Sequence, residues 1–264
     1  MTLLQDVLTV FSGSLVGFSL GLIGGGGSVL AVPLLVYLVG VKDPHIAIGT
    51  SALAVAANAL FGLFTHWRHG AVKTGCAVAF AVFGVLGAAI GSTVGKMVDG
   101  QHLLTLFGVA MIAIGASIAR KPAEVGNAEV HLDWRSAPRL LPWIVPTALA
   151  VGFMAGFFGI GGGFLIVPGL VFSTGMPLLN AVGSSLMSVT AFGLTTAGNY
   201  ALSGLVDWWL ATLLLAGGVV GGIAGVRVSR RLAARQPAPL SYAFAGIVVV
   251  VGLYVVWRGL APLL

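Results

Sequence analysis

Apolar residues run along this chain in long unbroken blocks, and polar residues mark little more than the gaps between them. The first block covers positions 7–39, too long for one bilayer-spanning helix of about 20 residues. A glycine run at 24–27 divides it into a nearly full-length piece, 7–23, and a short one, 28–39. Blocks at about 47–65, 74–95 and 103–119 follow, and then the only sustained hydrophilic stretch, 120–139. The order then begins again with a long piece at 140–158 and a short one at 163–174. This pattern predicts an all-α polytopic membrane protein of two homologous halves. Each half carries one glycine-broken, half-length helix and about four longer ones.

The repetition is visible residue by residue. Gly17, Phe18, Gly21, Gly24, Gly26, Gly27, Leu30, Val32 and Pro33 each meet an identical residue 135 positions on. Gly49-Thr50-Ser51 returns as Gly183-Ser184-Ser185 at an offset of 134. The chain therefore divides into a first membrane repeat, 1–119, a cytoplasmic linker, 120–139, and a second membrane repeat, 140–264. The linker is too short to bury a core of its own.

Glycines cost about 1 kcal/mol each in a helix interior, so the helix is expected to break at both runs. Backbone freed inside a membrane is tolerated only where it is buried in protein or lines a cavity. A half-helix restarting there turns unsatisfied N–H groups and a positive dipole end toward that cavity, which suits an anion. Matched breaks in two repeats point to a transporter binding site. The candidate site is therefore Gly24, Gly26, Gly27 and Ser28 in the first copy and Gly159, Gly161, Gly162 and Gly163 in the second. Close helix packing is the plainer account of such glycines. It is the account adopted for the Gly87, Gly91, Gly95 and Gly217, Gly221, Gly225 ladders.

Thr50, Ser51, Ser184 and Ser185 begin the helices that follow each broken segment. Hydroxyls there cap helices, but their recurrence beside the glycine turns makes them candidate anion ligands too. Asn58 and Asn199 are amides inside apolar stretches and rank lower, since helix-to-helix bonding is their usual role. No Asp, Glu, Lys or Arg lies deep in a span, which leaves backbone dipoles and hydroxyls to hold a charged solute. Such groups suit small oxyanions with several acceptor oxygens. A proton is the candidate coupling ion, carried by groups nearer the surface: Asp43, His45, His66, His69, Asp99 or His102.

Loop charges bear on how the halves are related. With each glycine-broken block read as one span, Lys and Arg divide 7 against 6. With each glycine turn reversing the chain, they divide 10 against 3. The positive-inside rule prefers the second reading. Five segments per repeat then make the repeats inverted, the architecture of alternating access.

Composition closes off other classes. Charged residues make up 8% and mean hydropathy is +1.06, against roughly 25% charged in soluble domains. The net charge of +6 encodes orientation, and no aromatic-interleaved basic run suits nucleic acid. The apolar N-terminus has no basic residue before it, so the first helix is expected to be retained. Cys76, alone, forms no intrachain disulfide. Val29 and Phe164 occupy the last glycine position of a dinucleotide fingerprint, no P-loop exists, and no deep histidine serves Ser51, Ser184 or Ser185. The expectation is therefore not an enzyme, with no cofactor and no metal.

With both glycine motifs and the Gly-Thr/Ser-Ser pairs in view, the chain resembles the sulfite exporter TauE/SafE family of bacterial inner-membrane permeases, from about 7 to 258. The resemblance implies export of sulfite, sulfoacetate or related organosulfur anions. The expected function is a multi-pass inner-membrane secondary transporter with its anion near the midplane between the turns. A passive anion channel, a permease for another small solute and a structural subunit are the alternatives. The partners expected are a small anionic substrate and the lipid bilayer, with no nucleic acid. The glycine-rich faces leave a homo-oligomer open.

Overall fold

The structure, a computed structural model, describes residues 3–23, 28–68, 72–120, 130, 132–133, 136–159, 163–233 and 238–260. Among them there is no β-strand. The elements in order are α1 (Leu3–Ile23), α2 (Ala31–Pro33) continuing as a π-helical stretch over Leu34–Val39, α3 (Pro44–Arg68), α4 (Thr74–Met97) and α5 (Gly100–Arg120). Then come α6 (Ala137–Phe158), α7 (Gly163–Thr174), α8 (Leu178–Ala201), α9 (Trp208–Ala233) and α10 (Ala238–Leu260). Six of the described helices are long and apolar enough to cross a membrane: α1, α3, α4, α6, α8 and α9. The chain is an all-α, multi-pass membrane protein.

The two short segments end alike. The π-helical stretch closes on Gly40, at φ +83°, whose N–H reaches the carbonyl of Leu35. Helix α7 closes on Gly175, at φ +69°, whose N–H reaches Val171 at 2.8 Å. A left-handed glycine stops a helix without a Cβ penalty. The wider π turns begin just after Pro33, which has no N–H to give and crowds the preceding turn.

Glycine ladders set the close pairings. A Cβ on Gly87, Gly91 or Gly95 would strike the backbone of Leu149, Phe153 or Phe157 in turn, so α4 and α6 run parallel in direct backbone contact. Gly13, Gly17 and Gly21 meet Leu214, Gly218 and Gly222 in the same way, so α1 and α9 run parallel too. Lipid gives helices no hydrophobic reason to associate, so such close van der Waals seams carry the association. Each seam takes one helix from each half of the chain.

Two further pairs join helices at matching places in the halves. Gly62 packs on Leu186 and Gly193 on Ala52 and Ala56, so α3 and α8 cross antiparallel. Gly108 meets Gly252 and Val256 while Gly259 meets Thr105, so α5 and α10 are antiparallel as well. The outer surface is apolar. Val82, Leu86 and Ile90 form an exposed stripe on α4, opposite the glycines that face α6, and supply the surface that hydrocarbon requires. Trp67, Trp143, Trp208, Trp209 and Trp257 are also exposed, near helix ends.

Candidate functional site

Of the predicted glycine ligands, Gly24, Gly26, Gly27, Gly161 and Gly162 lie outside the described residues. Gly159 ends α6 at φ +68°, its Cα pressed against Ile48 of α3 so that a Cβ has no room. Gly163 opens α7 and is buried, and Ser28 is fully buried at the start of the first short segment.

The four hydroxyls are fully buried and bonded in a matched way. Thr50 Oγ1 accepts the backbone N–H of Asp207 at 2.9 Å, and Ser184 Oγ accepts that of Lys73 at 2.9 Å. Ser51 donates to the carbonyl of Ile48 at 3.0 Å, and Ser185 to that of Val182 at 2.8 Å. Thr50 and Ser184, each in the second turn of its own helix, thus hold the residues just ahead of α9 and α4 in the other half of the chain, while Asp207 Oδ1 caps α9 by accepting the N–H groups of Trp209 and Leu210 at 3.0 Å.

The two sets sit at opposite ends of the bundle. Gly95, two residues before the end of α4, packs on Phe157, so the Gly159 turn lies level with the last turn of α4. Ile48, Thr50 and Asp207 belong to that same end. Lys73 precedes α4 and places Ser184 at the other end. The antiparallel register of α3 on α8 separates Thr50 from Ser184 by about 20 Å at 1.5 Å per residue. One small anion therefore does not touch both hydroxyl pairs at once in this conformation. Two helix starts on an antiparallel pair face opposite ends.

The amides differ from one another. Asn199 is fully engaged by α4: its Nδ2 donates to Ser92 Oγ at 2.7 Å and Thr93 Oγ1 at 2.9 Å, and its Oδ1 accepts from Lys96 Nζ at 2.7 Å. Lys96 also donates to the Asn199 carbonyl at 3.0 Å and to Ser203 Oγ at 2.8 Å. Asn58 lies against Gly218 at the α1–α9 seam, 6% exposed, and its Oδ1 has no partner. Lys96 was not among the residues singled out from the sequence. The signal for Lys96 was a cation inside the last turn of a span, on the face of the chain where Lys and Arg are scarce.

Outside the spans, Asp99 caps α5. Its carboxyl is held below the usual range, first by the N–H of His102, then by that of Gln101, with the His102 side chain adding to both.

A bundle of apolar helices with glycine seams, buried hydroxyls and two half-length apolar segments, Ser28–Val39 and Gly163–Thr174, suits a membrane permease. The comparisons with known proteins agree. The family model for the sulfite exporter TauE/SafE matches residues 9–255. A probable membrane transporter protein of Xylella fastidiosa (strain 9a5c) is 49% identical over 263 residues, covering 100% of this chain and 99% of the relative. The probable membrane transporter proteins YunE of Bacillus subtilis and MJ0441 of Methanocaldococcus jannaschii are 27% and 25% identical, each across 94% or more of both chains. No solved structure matches. The chain belongs to the sulfite exporter TauE/SafE family and is a membrane transporter, not an enzyme.

Proposed function

We propose that this transporter exports small sulfur oxyanions, sulfite or organosulfonates, by alternating access between two inverted halves. One observation carries the mechanism: the bond from Asp207 to Thr50 at one end recurs as that from Lys73 to Ser184 at the other. Each bond pins the start of a helix in one half to a hydroxyl in the other. Two ends fastened alike on an antiparallel helix pair let one loosen while the other holds, as inverted-repeat carriers require. The substrate class rests on the family and on the absence of deep charged side chains. Backbone N–H groups at the glycine turns then hold the anion, with the neighbouring hydroxyls at each end in support.

The test is flux into proteoliposomes offered sulfite, sulfoacetate, sulfate or chloride, with and without a pH gradient. Saturable, gradient-sensitive movement of a sulfur oxyanion but not of chloride is the expected result. Unsaturable conduction of all four anions would make the protein a channel. No flux from folded protein would remove the oxyanion reading.

A further inference from the structure

Helix α10 packs chiefly on α5, with Gly252 and Gly259 in the contact, and it turns another side outward. Ile247, Val250, Tyr254 and Arg258 share that outer face, since they follow at spacings of three, four and four residues, and all four are exposed. The face is apolar along its length and ends on a charge. From Ile247 to Arg258 it runs about 16 Å at 1.5 Å per residue, close to the hydrocarbon depth of one leaflet. Trp257 is exposed beside Arg258, as a residue at the level of lipid headgroups should be. Gly259 sits on Thr105 in the second turn of α5, which places Arg258 at one end of the bundle.

Arg258 is oriented there but not neutralised. Its Nε donates to the Tyr254 hydroxyl at 3.2 Å, and its guanidinium stands 5.8 Å from the centre of that ring. Tyr37 braces Tyr254 edge-on, with ring centres 5.4 Å apart, and Trp257 packs on it at 6.4 Å. Among the described residues no carboxylate lies within salt-bridge reach of Arg258, and the titratable neighbours acting on its charge are the hydroxyls of Tyr254 and Tyr37. Only Nε is bonded, so Nη1 and Nη2 present their N–H groups as an open fork on an exposed side chain. Such a fork matches two oxygens of a phosphate, and a charge without a counter-ion at the membrane surface is costly.

We propose that this face of α10 binds one anionic phospholipid, with its phosphate on the Arg258 fork and an acyl chain along Val250 and Ile247. The occupant is a lipid, because the surface that continues from the guanidinium is an apolar stripe one leaflet deep. The site lies on the outside of the bundle, apart from the glycine turns and the hydroxyl pairs, and it does not depend on what the protein transports.

The test is native mass spectrometry of the purified full chain in neutral detergent, offered phosphatidylglycerol or phosphatidylcholine with the same acyl chains. Wild type should retain phosphatidylglycerol at least about fivefold better. Arg258→Gln should lose that preference, and Arg258→Lys, which keeps the charge but not the fork, should fall between. The Arg258 side chain bonds only within its own helix, so these variants should unfold at the wild-type midpoint in detergent alone. Equal retention of the two lipids by wild type, or a preference unchanged in Arg258→Gln, would overturn the site. Displacement of the lipid by equimolar inorganic phosphate would overturn the lipid as its occupant.

Discussion

The hydroxyl of Thr50 accepts the backbone N–H of Asp207 at 2.9 Å, fastening α3 in the first half to the start of α9 in the second. Its counterpart, Ser184 on Lys73, fastens α8 to the start of α4 at the opposite end. Thr50 and Ser184 are fully buried, whereas Asp207 and Lys73, the donors, are half-buried.

Thr50→Val keeps the shape and orphans the Asp207 N–H, and it should cost about 1–3 kcal/mol. Ser184→Ala should cost about as much by removing the bond from the Lys73 N–H, whereas Thr50→Ser keeps its bond and stays near wild type. The two sites are far apart and share no partner, so the double variant should be additive within about 0.5 kcal/mol. Thermal unfolding in detergent reads all four proteins. A Thr50→Val midpoint equal to wild type would remove the bond from the account.

The glycine seams predict a contrast within one protein. A Cβ at Gly17 would strike the Gly218 carbonyl, and one at Gly152 the Gly84 carbonyl, so both neighbours would have to move as backbone. Gly17→Ala and Gly152→Ala should each cost about 1–3 kcal/mol or more through forced separation of the paired helices. Gly198, on α8, has nothing within 4 Å of an added Cβ. Gly198→Ala should be neutral or stabilising by about 0.5–1 kcal/mol through helix propensity alone. Unfolding midpoints of the three variants check the ordering.

Asp99 gives the stability a signed pH dependence. Its folded carboxyl titrates below the ordinary value of 3.8, because the N–H groups of His102 and Gln101 favour the charged form. The contribution of this cap is therefore fully present above that value, and it is lost as pH falls from there through the lower folded value. Asp99→Asn should lie below wild type at neutral pH and converge with it on acidification. Unfolding midpoints from about pH 6 down to about pH 3 would show the convergence. Parallel curves for the two proteins would overturn the assignment.

Much of the bundle was legible in the hydrophobic pattern. The half-length pieces at 28–39 and 163–174 coincide with the short helical segments, because a glycine run interrupts an apolar block wherever it occurs. The Gly87 and Gly217 ladders were readable as packing faces because their four-residue spacing fixes one side of a helix. The helix over 47–65 proved longer, Pro44–Arg68, since Asp43 caps it from outside the apolar block and its last turn is polar. The candidate site was less legible. Thr50 and Ser184 stood out as a repeated pair, but nothing local shows that each accepts an N–H from the other half. Asn199 read as a lone amide in an apolar stretch. Its partners, Ser92, Thr93 and Lys96, are about 100 residues away in sequence, on α4.

The sequence by itself determined that this chain is an apolar helical bundle with two glycine-broken segments, because hydrocarbon leaves no other way to satisfy a backbone and because glycine is the weakest link in a helix. Only the tertiary structure decided that α1 pairs with α9 and α4 with α6. It alone put the two hydroxyl pairs at opposite ends and brought Lys96 to Asn199 and Tyr37 to Tyr254. Those outcomes depend on which helix faces meet and in which direction they run, and helix direction and partner are long-range properties that no local run of residues encodes.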